Sequence, residues 1–150
     1  MEIREFLTPE RVILLAGSTK TEVLDELADL MVRADAGINH GQLQEAIHKR
    51  EKLMSTGIGH GLAIPHVRLA GLRDPLMAIG VCRDGIDDYE SLDNKPVRIV
   101  ILIAAPAGQH EVYIRLLAKA SDVLKLEEIR RSIVESDSPE EIYRILTGDE

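Results

Sequence analysis

The run Val97-Arg98-Ile99-Val100-Ile101-Leu102-Ile103-Ala104 is apolar at every position except Arg98. A strand with one face in water alternates apolar and polar residues, whereas a strand covered on both faces is apolar almost throughout. The run therefore predicts a central strand with helices on both sides. A second strand candidate, Leu76–Cys82, precedes it, and two pairs between them, Asp84-Gly85 and Asp93-Asn94, are typical of turns.

Helical patterns surround these two strands. Apolar spacing predicts helices over residues 19–34, 39–54, 110–125 and 139–146, a short helix or turn over 126–135, and a further strand over 11–16. In the second helix, Leu43, Ala46, Ile47 and Leu53 are expected to face inward. Since strands and helices mix along the chain, we predict an α/β fold with one central sheet, whose strand order the patterns leave open. No repeat or linker divides residues 1–150, so we predict a single domain.

Composition excludes several classes of function. A net charge of −8 and the scarcity of aromatic residues argue against nucleic acid as a partner. Cys82 is the only cysteine, so no intramolecular disulfide forms, and its apolar surroundings predict a buried structural thiol. The longest apolar run, 99–107, is too short to span a bilayer, and the first residues do not resemble a signal peptide. We therefore expect a cytoplasmic protein without direct membrane insertion.

His66 ends the segment Gly61-Leu62-Ala63-Ile64-Pro65-His66 and is the strongest candidate for a reactive residue. Pro65 fixes its own φ and favours an extended conformation at Ile64, so His66 is predicted to stand on stiff, extended backbone. A neutral imidazole is a good nucleophile near pH 7, and a phosphorylated imidazole remains reactive enough to pass its group on. His66 is therefore a candidate phosphoryl carrier.

Phosphoryl transfer requires positioning and neutralisation of charge on the phosphoryl oxygens. Candidates for this role are Arg50 and Lys52 at the end of the second helix, Thr56 with the following glycine amides, and His110 at the start of a later helix. Taken singly, His110 could be only a helix cap and Arg50 only a solvated side chain. A metal site built from three histidines, His60, His66 and His110, is the sharpest rival, although the spacing typical of zinc ligands is absent.

The run from Arg50 to His66, REKLMSTGIGHGLAIPH, resembles the signature of enzyme IIA domains of the bacterial phosphotransferase system. It is most similar to the fructose/mannitol class, and within it to the nitrogen-regulatory type. The resemblance extends over nearly the whole chain, including Leu92–Val97 and the helix that begins near His110.

The resemblance implies a phosphotransferase component with a mixed central β-sheet and helices on both faces, a three-layer sandwich. His66 would be the phosphorylated histidine, receiving the group from the phosphocarrier HPr or a paralogue through Nε2. His110 would hydrogen-bond the phosphoryl oxygens, and Arg50 would line the same site. No metal or cofactor would be used.

Two positions depart from the family pattern. Val67 stands where the family usually has a small residue, which is expected to add bulk beside the phosphate. His60 stands where asparagine is frequent, which is expected to place a third imidazole near the site. Neither change removes a residue that transfer requires.

Two functions fit the same site. In the first, His66 passes its phosphoryl group to a sugar-specific enzyme IIB. In the second, the phosphorylation state of His66 controls docking on a regulatory target such as a transporter or a kinase, because the added charge of about −1.5 to −2 changes an interface.

Overall fold

The structure is a computed structural model and describes residues 2–35 and 37–148. Its strands are β1 (Val12–Leu14), β2 (Gly57–Gly59), β3 (Leu62–Ala63), β4 (His66–Leu69), β5 (Leu76–Ile86) and β6 (Val97–Pro106). Its α-helices are α1 (Lys20–Ala34), α2 (His40–Leu53), α3 (His110–Leu124), α4 (Glu127–Glu135) and α5 (Pro139–Thr147). Two single-turn 3-10 helices, Ile3–Glu5 and Pro9–Arg11, precede β1.

The strands form one mixed sheet in the order β1-β5-β6-β3-β2. β5 and β6 are antiparallel, with Ile79 opposite Ile101, and β1 is parallel to β5. On the other edge of β6, β3 and then β4 pair with it in parallel, so residues 62–69 follow that edge with one interruption. The interruption lies at Ile64-Pro65, directly before His66.

Helices cover both faces of the sheet. Side chains of β6 alternate between the faces, with Ile99, Ile101 and Ile103 in a core with α3, α4 and α5, and Val100, Leu102 and Ala104 in a core with α1 and α2. Since both faces are buried, β6 is apolar almost throughout, as its sequence predicted. The mixed sheet between two helical layers confirms the predicted fold class.

Helix starts follow their capping residues. The Thr19 hydroxyl accepts the Glu22 N–H, and the Glu22 carboxylate accepts the Thr19 N–H, which forms a capping box at the start of α1. The Asn39 side chain accepts the Gln42 N–H at the start of α2. Within the described residues, no helix is both long and apolar enough to span a bilayer.

Two local predictions are wrong. Asp84-Gly85 is not a turn, because β5 runs on to Ile86 and its register with β6 shifts after Val81. Such an irregularity accommodates the pair inside a strand, with Gly85 at φ +90°. Leu53 does not face inward. It ends α2 and is 78% exposed.

Candidate functional site

His66 is the first residue of β4 and lies opposite Ile103 of β6. Hydrogen bonds hold the backbone before it, since the Pro65 carbonyl accepts the Ile103 N–H at 3.0 Å and the Ile64 N–H donates to the Thr56 carbonyl at 3.1 Å. Pro65 has no N–H to donate to β6, which accounts for the interruption of the pairing between β3 and β4. His66 therefore stands on stiff, strand-like backbone, as predicted.

The His66 ring has a defined tautomer. Nδ1 lies 2.7 Å from the carbonyl oxygen of Ile64, and a carbonyl only accepts, so Nδ1 carries the proton and donates. In the neutral ring, Nε2 then keeps a free lone pair. Burial lowers the pKa of His66 below its ordinary 6.5; the Ile64 hydrogen bond opposes this shift, and the positive charge of Arg50 adds to it. At neutral pH the ring is uncharged and Nε2 is nucleophilic.

The ring borders an open cleft of about 580 Å³ beside the end of α2 and the start of α3. The other residues that line the cleft are Ala46, Lys49, Arg50, Leu53, Val67, Arg68, Ala107 and Tyr113. Three of these described residues are cationic and none is acidic, so the cleft favours an anion beside the imidazole.

Arg50 and His110 occupy different places around His66. Arg50 lines the cleft, and its guanidinium donates to the Met54 carbonyl at 2.9 Å, which anchors it at the end of α2. His110 is exposed at the first position of α3, with Nδ1 3.4 Å from the Arg68 guanidinium. The Tyr113 ring lies 5.4 Å from His66 and 6.4 Å from His110, centroid to centroid. The structure thus brings Arg50 into the cleft and His110 beside two residues that line it, Arg68 and Tyr113.

Sequence reasoning missed Arg68 and Tyr113 as site residues. Side chains two positions apart in a strand share a face, so Arg68 follows His66 on the same side of β4. Tyr113 is one helical turn after His110, which places both side chains on one face of α3. Both signals were present in the spacing, and they depended on knowing that residues 66–69 form a strand.

Thr56 does not take the predicted position beside the phosphoryl group. Its side chain is buried, and its hydroxyl donates to the Glu51 carboxylate at 2.6 Å. Because that donation uses its only proton, the Tyr89 hydroxyl at 2.7 Å donates to it. Thr56 is absent from the residues that line the His66 cleft, so its hydroxyl has no access to a ligand there.

The two departures from the family pattern lie in different places. Val67 is 5% exposed and packs in the core with α1 and α2, and it also lines the His66 cleft. His60 lies in the turn between β2 and β3 and lines a separate cleft with Arg98. Arg98 and Ile103, the partner of His66, are five positions apart on β6, about 17 Å along the strand.

The rival metal site is therefore not assembled, because His60 is remote from the other two histidines. Among residues 2–35 and 37–148, no group of three or more histidine, cysteine, aspartate or glutamate side chains is placed to hold a metal ion.

Comparison with known proteins gives independent evidence of the family to which the chain belongs. The family model for "Phosphoenolpyruvate-dependent sugar phosphotransferase system, EIIA 2" matches residues 5–148. A fructose-specific EIIABC component of Bacillus subtilis is 37% identical over 97% of this chain, which spans 23% of that protein. A nitrogen regulatory protein of Pseudomonas aeruginosa is 31% identical over 97% of this chain and 95% of its own length.

Solved structures agree with these similarities. Nitrogen regulatory protein IIA-Ntr from Neisseria meningitidis superposes with a TM-score of 0.88 at 30% identity, over 97% of this chain and 99% of that one. Enzyme IIA for mannitol from Escherichia coli, solved in complex with phosphorylated enzyme IIB, has a TM-score of 0.76 over 95% of this chain and 97% of that one. At 23% identity, the second similarity concerns the fold alone.

Proposed function

The chain belongs to the EIIA 2 family of the phosphoenolpyruvate-dependent sugar phosphotransferase system, and we propose that it is a phosphocarrier whose His66 accepts and releases a phosphoryl group. The donor is an HPr-type phosphocarrier protein, and the acceptor is a sugar-specific enzyme IIB. Residues 1–150 act as one domain, which works in the cytoplasm together with these partner proteins. No cofactor takes part.

The transfer step is a displacement at phosphorus. The lone pair of His66 Nε2 attacks the phosphorus of a phosphohistidine on the donor, a new N–P bond forms, and the donor's N–P bond breaks with its electron pair returning to the donor imidazole. No proton leaves His66, because Nδ1 keeps its proton in the bond to the Ile64 carbonyl. In the onward step, a nucleophile of enzyme IIB attacks the same phosphorus and His66 becomes the leaving group.

The cationic side chains of the cleft neutralise the negative charge of the phosphoryl group during transfer. The phosphoryl oxygens carry negative charge in the loose transition state and in the phosphorylated protein. Lys49, Arg50 and Arg68 border the cleft beside His66, and His110 stands next to Arg68. A charge-assisted hydrogen bond contributes about 1.5–3 kcal/mol, so two or three such contacts stabilise both states.

One observation carries the proposal: the free lone pair on Nε2 of a neutral histidine at the border of a cleft that is lined by cations. The surface around it also suits protein partners. Leu53 and Met54, next to Arg50, are 78% and 72% exposed, so apolar area is available for docking. The mannitol relative binds its phosphorylated enzyme IIB as a protein complex, which supports the same class of acceptor here.

The test is incubation with phosphoenolpyruvate, enzyme I and HPr, followed by intact mass and by acid treatment. We expect one acid-labile phosphoryl group on the natural protein and none on His66→Ala. His48→Ala is the matched control, because His48 is half-buried on α2 and bonded to Asp25 away from the cleft. An unmodified natural protein, or a His66→Ala variant that is modified as fully as the natural one, contradicts the proposal.

A second candidate function is a regulatory module whose phosphorylation state controls binding to another protein. It is favoured by the extent of the match to the nitrogen regulatory protein of P. aeruginosa, which this chain covers over 95% of its length. Onward transfer to enzyme IIB, coupled to sugar uptake, supports the carrier. A stable phosphoprotein that binds a target in one state only supports the regulatory module.

A further inference from the structure

We propose that Glu51 is a positioning residue for His66, acting through Thr56 and Ile64 to hold the imidazole in the tautomer whose Nε2 is free. The inference rests on the proposed phosphocarrier function for its kinetic consequence. Its structural consequence, the tautomer of the His66 ring, is independent of any partner protein.

Glu51 is a buried carboxylate near the site, outside the residues that line the His66 cleft. It lies in the last turn of α2, directly after Arg50, and is 7% exposed. A charge so deeply buried is costly unless it is paired and hydrogen-bonded. Its oxygens accept both the Thr56 N–H at 3.2 Å and the Thr56 hydroxyl at 2.6 Å. These two hydrogen bonds fix both the backbone and the side chain of Thr56.

The position of Thr56 is passed on to His66 by two further hydrogen bonds. The Thr56 carbonyl accepts the Ile64 N–H at 3.1 Å, and the Ile64 carbonyl accepts the His66 Nδ1–H at 2.7 Å. Both of these bonds join an N–H group to a backbone carbonyl. Displacement of Thr56 therefore displaces Ile64, and the proton of His66 is then free to move to either ring nitrogen.

Two residues from other parts of the chain hold Glu51 in place. Lys20 at the start of α1 approaches the Glu51 carboxylate at 3.2 Å and supplies its counter-charge. The same ammonium group lies 4.6 Å from the centre of the Tyr89 ring, whose hydroxyl donates to Thr56. Burial, together with the charge of Glu51, raises the pKa of Tyr89 far above its usual value, so its hydroxyl keeps its proton and remains a donor.

Neither Glu51 nor Thr56 lines the cleft, and their side chains bond to each other, Lys20 and Tyr89. The charge of Glu51 also opposes the lowering of the His66 pKa, and the tautomer separates positioning from this effect of charge. A purely structural role would affect stability alone. A positioning role predicts a change in the His66 ring that can be observed in a folded variant.

The test compares Glu51→Gln with Glu45→Gln, which removes the same charge from an exposed position of α2. Imidazole ¹⁵N chemical shifts near pH 8 report the tautomer. Phosphorylation is followed with HPr and, separately, with phosphoramidate, a small donor that needs no docking surface. For Glu51→Gln we expect a mixture of tautomers and a rate at least about tenfold lower with both donors, since misplacement by about 1 Å costs roughly a hundredfold. Glu45→Gln should match the natural protein.

Several outcomes overturn the inference. A folded Glu51→Gln with the natural tautomer is one, and a rate loss confined to the HPr reaction is another, because that indicates docking. If Glu51→Gln does not fold, Thr56→Val is measured instead, and an unchanged His66 tautomer in it contradicts the inference. Failure of the proposed function gives a different result, because the natural protein itself is then not phosphorylated. The His66 tautomer in Glu51→Gln still tests the positioning role of Glu51 in that case.

Discussion

Substitution of Gly57 by alanine tests whether the segment before His66 must approach the 89–91 segment closely. A Cβ at position 57 would lie 2.2 Å from the carbonyl oxygen of Glu90, whereas ordinary contact begins at 3.4 Å. The atom it meets is backbone, so no side chain can rotate away. The two segments must separate by about 1.2 Å.

The size of the effect follows from the bonds that this separation breaks. The Ser55 hydroxyl donates to the Glu90 carbonyl at 2.6 Å, and the Tyr89 and Thr56 hydroxyls are 2.7 Å apart. Neither bond survives a movement of 1 Å or more, and each contributes about 1 kcal/mol. Together with residual crowding, we expect a loss of about 2–3 kcal/mol in the free energy of unfolding. Because Thr56 moves, phosphorylation of His66 should slow roughly tenfold or more.

Urea unfolding and the phosphorylation rate measure the two effects. With a slope of about 2 kcal/mol per molar urea, the midpoint of Gly57→Ala should fall by roughly 1–1.5 M. Gly41→Ala is the matched control, because its Cβ meets only Asn39 Oδ1 at an ordinary 3.5 Å and alanine favours the helix by up to about 1 kcal/mol. A Gly57→Ala protein with natural stability and rate would refute this reasoning.

Three further predictions concern the cleft. Burial, with the charge of Arg50, lowers the pKa of His66 below 6.5, so we expect the rate of phosphorylation to fall on acidification with a midpoint below pH 6.5. Because of this shift, the unfolded chain binds the proton of His66 more readily than the folded protein does. The contribution of His66 to the free energy of unfolding is therefore complete above pH 6.5 and is lost as the pH falls through the lowered pKa. Urea unfolding of the natural protein and of His66→Ala at several pH values measures this loss. Arg68→Gln should slow phosphorylation roughly tenfold to a hundredfold through the loss of one charge-assisted contact, with unchanged stability, and an unchanged rate would remove Arg68 from the site. Tyr113→Ala should expose His66 and raise its pKa towards 6.5 in an NMR titration, whereas Tyr113→Phe should leave that pKa unchanged.

The layered fold was predictable because its signals are local. The two-sided burial of β6 is written in its uninterrupted apolar run, and the bounds of α1 and α2 follow from apolar periodicity and from the caps Thr19 and Asn39. The strands β2, β3 and β4 were not predicted, since they are only two to four residues long. Their pairing depends on long-range contact with β6, which no local pattern reports.

Prediction of the site failed at the same place. With residues 66–69 unassigned, neither the position of Arg68 nor the inward direction of Val67 followed from the spacing. Thr56 lies in the motif, yet its distance from the cleft depends on Glu51 and Tyr89, which are 5 and 33 positions away along the chain. Residues close to His66 in sequence thus belong to the same motif but do not all line the cleft. Only the three-dimensional contacts distinguish residues that line the cleft from residues that support it.

The central claim is that Nε2 of His66 is the atom that carries the phosphoryl group. Its most direct test is NMR of the phosphorylated, ¹⁵N-labelled protein, in which coupling between ³¹P and a ring ¹⁵N identifies the bonded nitrogen. We predict one coupling, to Nε2 of His66, with the Nδ1 proton still bonded to the Ile64 carbonyl. Phosphorus on Nδ1 of His66, or on any other residue, would contradict this account.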